Sequence, residues 1–123
     1  MITGSHTLLY SDDPAATRAF FRDVLELSFI ETSPGWLIFA TGPSELGAHP
    51  RTWPGRDEPV AQRHVVSLTC DDLDATMAAL AARGARFAGE VWEQEYGRGI
   101  EVEVPGMEPL TVYQPSYAPA WER

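Results

Sequence analysis

Cysteine occurs once in this 123-residue chain, at Cys70, which excludes an internal disulfide and a CxxC metal or redox site. Positive charge is scarce as well: nine Lys and Arg stand against eighteen Asp and Glu, a formal charge of −9 at pH 7. A field of that sign repels phosphate backbones and anionic lipid, so neither nucleic acid nor a membrane surface is expected as a partner. Long apolar runs are missing; the longest, Met77 to Ala82, falls far short of the roughly 20 residues that span a bilayer. The opening Met1-Ile2-Thr3-Gly4-Ser5-His6 lacks a basic stretch followed by an apolar one. No signal peptide is therefore expected, and the chain reads as cytoplasmic. Neither G-x-S-x-G nor H-E-x-x-H occurs, and Gly97-Arg98-Gly99 is too short for a phosphate loop. What remains has the length of one domain, and 44% hydrophobic with 22% charged residues suits a packed core without staples.

The chain repeats a plan. His6-Thr7-Leu8-Leu9-Tyr10-Ser11-Asp12-Asp13 and His64-Val65-Val66-Ser67-Leu68-Thr69-Cys70-Asp71 each open on His and reach an Asp seven positions on. A helix follows in both. Asp13 and Pro14 suit a cap and a first turn, and Phe20, Phe21, Val24 and Leu25 fall on one face of Pro14 to Leu25. Asp72 to Arg83 places Leu73, Met77 and Leu80 at helical spacing, and Gly84 ends it. Met77 and Leu80, like Phe20, Phe21, Val24 and Leu25 of the first helix, are expected to bury against the sheets as helix faces. Three strands are predicted after each helix. The first set is Leu27 to Thr32, Trp36 to Thr41 and Glu45 to His49. The second is Arg86 to Trp92, Gly99 to Val104 and Leu110 to Tyr113, in which Ile100, Val102 and Val104 alternate with Glu101 and Glu103. The expected fold is α+β, one domain of two βαβββ modules over about 1–50 and 63–115. A linker without apolar period covers 51–62, and a tail without a clear element covers 116–123.

Two histidines opening equivalent strands point to one shared cavity, where imidazoles and a carboxylate form an N/O metal site. Taken singly, each is no more than a polar strand end. Glu45, Gly47 and His49 share a strand face, so either Glu45 or His49 is a candidate third ligand. Glu103, beside Glu101 and near Glu90, Glu93 and Glu95, is the candidate general acid or base, although acidic runs of this kind also form solvated faces. Cys70 reads as a buried, inert thiol. Trp36 reads as core or cavity wall, and Trp53, Trp92 and Trp121 as rings lining a ligand mouth or a dimer seam.

The paired H-x6-D openings, Phe20-Phe21-Arg22-Asp23-Val24-Leu25, Glu45-Leu46-Gly47-Ala48-His49-Pro50 and Val112-Tyr113-Gln114-Pro115 together resemble the vicinal oxygen chelate superfamily. That group holds glyoxalase I, extradiol dioxygenases, methylmalonyl-CoA epimerase and the fosfomycin and bleomycin resistance proteins. The chain is most similar to its short, glyoxalase-like bacterial members. The resemblance implies a cup-shaped mixed sheet, completed by a homodimer, with a small molecule bound in the cup. It implies a divalent metal (zinc, manganese, iron or nickel) on His6, His64 and Glu45, with His49 the alternative to Glu45. In that version the protein is a lyase, isomerase or dioxygenase, and Glu103 moves a proton. One departure argues against the metal: Thr111 stands where the superfamily usually has a glutamate, and threonine is a poor ligand. The alternative is a metal-free binder that sequesters a hydrophobic or antibiotic-like molecule, with Trp36, Trp53, Trp92 and Tyr113 as ligand-binding residues.

Overall fold

A computed structural model of the chain describes residues 1–23, 27–103 and 108–122. The elements run β1 (Ile2–Ser11), α1 (Pro14–Asp23), β2 (Phe29–Ser33), β3 (Trp36–Ala40), β4 (Ser44–Pro50), β5 (His64–Cys70), α2 (Leu73–Ala82), β6 (Phe87–Gln94), β7 (Gly97–Val102) and β8 (Leu110–Pro115). A short 3-10 turn, Ala120–Glu122, closes the series. This is the expected α+β class with its two βαβββ runs. The chain forms two compact units: His6–Val65 with Pro119–Arg123, and Val66–Ala118 with Met1–Ser5. They are called the N-terminal and C-terminal units below. Among the described residues no helix is long and apolar enough to cross a membrane.

In the N-terminal unit the strands neighbour one another in the order β2-β3-β4-β1, with β2-β3 and β3-β4 antiparallel. The Asp13 carboxylate accepts from Ala16 N at 3.1 Å and caps α1, as its sequence position predicts. One face of the sheet meets α1 through Phe21, Leu37 and the fully buried Phe39, with Leu9, Phe29 and Leu46 packed around them. Phe21 and Phe29 set their rings against Phe39 at 5.3 and 5.8 Å between centroids. Val24, Leu25 and the side chain of Phe20, expected on this face, lie outside the described residues. Strand alternation sends Trp36, Ile38, Glu45, Gly47 and His49 to the opposite face. The predicted linker is held more firmly than its composition suggests. Arg51 Nε and Nη2 both donate to Val60 O at 3.1 and 3.0 Å, and Val60 is buried. Within it Trp53 and Arg56 close a tight turn by two backbone bonds of 3.2 and 2.8 Å.

In the C-terminal unit residues 2–5 of β1 and 66–70 of β5 precede β8, β7 and β6 in the strand order. Strands β5 and β8 are parallel, β8-β7 and β7-β6 antiparallel. Asp72 caps α2 by accepting from Ala75 N at 3.0 Å, and Gln114 Oε1 accepts from Leu73 N at 2.8 Å. Gly84 ends the helix at φ +93°, a conformation in which its missing Cβ avoids strain. The core is Cys70, Leu73, Ile100 and Val112, with Leu68, Met77, Phe87 and Val102 around it. The buried face of α2 is Leu73 and Thr76, while Met77 and Leu80 are only half-buried, short of the burial expected for them. Burial pushes the Cys70 thiol above its ordinary pKa, so little thiolate is present at neutral pH. An aromatic disulfide reagent at pH 8 is therefore expected to label Cys70 roughly tenfold or more slowly in the native protein than in denaturant. Equal rates would show that the core opens freely.

Candidate functional site

In the N-terminal unit His6 and Glu45 come together. His6 is 8% exposed and Glu45 1%, and His6 Nδ1 lies 2.7 Å from Glu45 Oε1. The second oxygen, Oε2, accepts from Ala120 N at 3.0 Å. The 3-10 turn that the sequence reading leaves as a featureless tail therefore seats on this carboxylate, with Ala120 buried. Gly47 makes room for the ring: a Cβ there would sit 3.4 Å from His6 Nε2 and 3.1 Å from Leu8 Cδ2.

His64 does not join them. Its side chain is exposed, and among the described residues no three His, Cys, Asp or Glu gather closely enough to hold a metal ion. The reason is register. Asp13 caps α1, but the cap of α2 is Asp72, not Asp71. Seven residues before Asp13 stands His6; seven before Asp72 stands Val65. In β5, Ser67 and Thr69 face the same way as their partners Thr111 and Tyr113, whereas Leu68 and Cys70 turn to the α2 core. His64 has the parity of Leu68 and Cys70, and a one-residue slip exchanges the faces of a strand. His49 shares the Glu45 face but lies four residues on, where its Nδ1–H donates to Pro50 O at 2.7 Å.

These residues do not fit the metal that the resemblance implies. The two oxygens of Glu45 already bond His6 and Ala120, and His64 is out of phase. Thr111, at the position of the missing glutamate, donates its hydroxyl to Glu101 Oε1 at 2.6 Å.

Each unit carries an aromatic cluster. In the C-terminal unit Trp92 Nε1 donates to Glu101 Oε2 at 3.1 Å, so one carboxylate fixes both Trp92 and Thr111. Trp92 stacks toward Tyr113 at 6.5 Å, Tyr96 lies 5.6 and 5.7 Å from these two rings, and the Tyr113 and Tyr117 hydroxyls are 2.8 Å apart. The carboxylate in this cluster is Glu101. Glu103, the expected acid or base, is an exposed residue past the end of β7, held through its backbone by Arg86 O at 2.9 Å. Alternation alone admitted either glutamate; the Trp92 indole N–H, nine positions upstream, was the missed pointer to Glu101. In the N-terminal unit Tyr10, Trp36 and Trp53 surround His49 at 5.5, 5.5 and 5.2 Å. Of the four predicted ligand-binding residues, Trp36 and Trp53 thus share one cluster and Trp92 and Tyr113 the other. An open groove of about 1220 Å³, lined by residues including Leu27, Phe29, Pro43 and Trp121, lies in the N-terminal unit and includes none of these rings.

Comparison with known proteins agrees with the architecture. No curated protein matches the chain. Among solved structures, a NAD-dependent benzaldehyde dehydrogenase from Legionella pneumophila is 18% identical, with 91% of this chain and 99% of that one covered at a TM-score of 0.61. Methylmalonyl-CoA epimerase from Mycobacterium tuberculosis is 14% identical, with 94% and 88% covered at a TM-score of 0.60. A glyoxalase/bleomycin resistance protein/dioxygenase superfamily member from Vibrio splendidus 12B01 is 16% identical, with 94% and 99% covered at 0.53. At such identities the likeness speaks for the fold alone. The model of one family matches residues 4–109, from within β1 to the residue before β8, and the chain belongs to that family, the glyoxalase/bleomycin resistance protein/dioxygenase superfamily.

Proposed function

We propose that this chain is a metal-free binding protein that takes a flat, largely apolar small molecule on the aromatic faces of its sheets. The observation that carries this reading is the use of the superfamily's ligand positions for internal bonds, His6 to Glu45 to Ala120 and Thr111 to Glu101. Binding without chemistry needs what remains: rings held at fixed angles and a few polar anchors among them. Trp36 and Trp53 are 40% and 39% exposed, so a planar ligand can pack against their open surfaces beside the arginines that lie over each ring, Arg18 and Arg56. Glu101, bonded by both Trp92 and Thr111, holds the Trp92 ring at a fixed angle for a ligand to pack against.

Thermal melts with added Zn²⁺, Mn²⁺, Fe²⁺ or Ni²⁺ test the reading. A metal bound only by the folded state and present at 100 times its Kd stabilises by about 2.7 kcal/mol, several degrees in Tm for a domain of this size. No upward shift is expected with any of the four. A rise of several degrees that disappears in His6→Ala would establish a metal site and overturn the proposal.

A further inference from the structure

We propose that Arg18 binds an anionic group on the ligand, so that the N-terminal unit selects planar aromatic carboxylates over neutral or cationic molecules of the same shape. The inference rests on the binding reading above and names its ligand class. Arg18 projects from α1 with its guanidinium carbon 4.6 Å from the centre of the Trp36 ring. Its Nη2 donates to Ala48 O at 2.8 Å, while its Nε is buried without a hydrogen-bond partner. Arg22, Arg51, Arg63 and Arg98 each lie within 4 Å of a carboxylate. Arg56, Arg83 and Arg86 have no such neighbour among the described residues but are exposed, whereas Arg18 has none and is half-buried, in a chain with eighteen Asp and Glu. A half-buried cation left without an acid is a place where an anion from outside gains most. Burial works against the charged form here and lowers the Arg18 pKa, with no acid to offset it.

The surroundings set the rest of the ligand. Trp36 and Trp53 flank His49, and both rings are partly exposed. A flat ring set against the exposed edge of Trp36, beside the guanidinium that lies over that indole, can turn its carboxylate to Arg18, and guanidinium is the side chain that matches a carboxylate in two parallel bonds. The chain's charge of −9 opposes an anion at long range. Salt screens that field over about 10 Å at 0.1 M, so the contact with Arg18 decides.

Titration of the full chain with 2-naphthoate, its methyl ester and 2-naphthylmethylammonium, read by tryptophan fluorescence and calorimetry, tests this. The wild type is expected to bind naphthoate roughly tenfold or more tightly than the ester, with the ammonium weaker still. Arg18→Met should bring naphthoate down to the ester's affinity and leave the ester unchanged; Arg18→Lys should restore only part of the difference. Should Arg18→Met fail to fold, Arg18→Gln, which keeps a donor for Ala48 O, carries the same comparison. Equal affinity of wild type for naphthoate and ester, or an equal loss of both in the Arg18 variant, overturns the inference and leaves the binding reading standing. No binding of any of the three up to about 1 mM overturns both.

Discussion

Glu45→Ala is expected to lower the free energy of unfolding by about 3–5 kcal/mol, and Tm by on the order of 10–20 °C. The carboxylate is 1% exposed and bonds a buried imidazole at 2.7 Å and a buried backbone N–H at 3.0 Å. Removing it strands both donors where water does not reach, and that desolvation cost is what makes half of a buried pair so expensive to delete. Glu45→Gln keeps the shape and one carbonyl oxygen, so it should cost less than the alanine. His6→Ala in the Glu45→Ala background should add little, because the two residues stabilise through each other. Chemical denaturation of the four proteins measures this directly. A loss below about 1 kcal/mol for Glu45→Ala would mean that the tail does not close over this pair in solution.

Much of the fold was legible because its markers are local. Asp13-Pro14, Asp72 and Gly84 bound the helices as their backbone chemistry requires, and Ile100 and Val102 alternate with Glu101 as a strand with one packed face must. The site was less legible, because it depends on register. Counting from His64 to Asp71 made the two halves look superposable, yet the α2 cap is Asp72 and the true counterpart of His6 is Val65. Two adjacent aspartates hid a one-residue difference that decides which way a side chain points. The tail was unreadable for another reason. Nothing in Pro119-Ala120-Trp121-Glu122 marks it as the partner of a glutamate 75 positions upstream; only the three-dimensional arrangement pairs Ala120 N with Glu45.

Thr111 was the informative residue, and its meaning comes from its neighbour. A threonine cannot supply the charge of a missing carboxylate, but it can present a hydroxyl to one on the next strand. Glu101 is its register partner across β7-β8, and their bond turns what would be two exposed polar ends into a support for Trp92. The threonine that argues against a metal thus braces the carboxylate that holds Trp92.

Two glycines of β7 separate the integrity of the Trp92 cluster from its function. Gly97→Ala is expected to cost roughly 3–5 kcal/mol, because its new Cβ would stand 2.3 Å from Gln114 O at φ +152°. A backbone carbonyl fixed in the β7-β8 ladder cannot move aside, so the two strands must part. Gly99→Ala meets a different obstacle, Trp92 Cζ2 at 2.3 Å. A side chain can yield. The expected cost is only about 1–3 kcal/mol, but the indole must leave the glycine and with it the bond to Glu101. Gly99→Ala should therefore keep a cooperative melt while Trp92 shifts to a wetter environment, seen as a red shift in emission relative to wild type. Gly97→Ala should instead lose secondary structure before any local change can be seen. A Gly99→Ala variant with unaltered tryptophan emission would show that Trp92 does not lie flat on β7, and the aromatic face of the C-terminal unit would have to be redrawn.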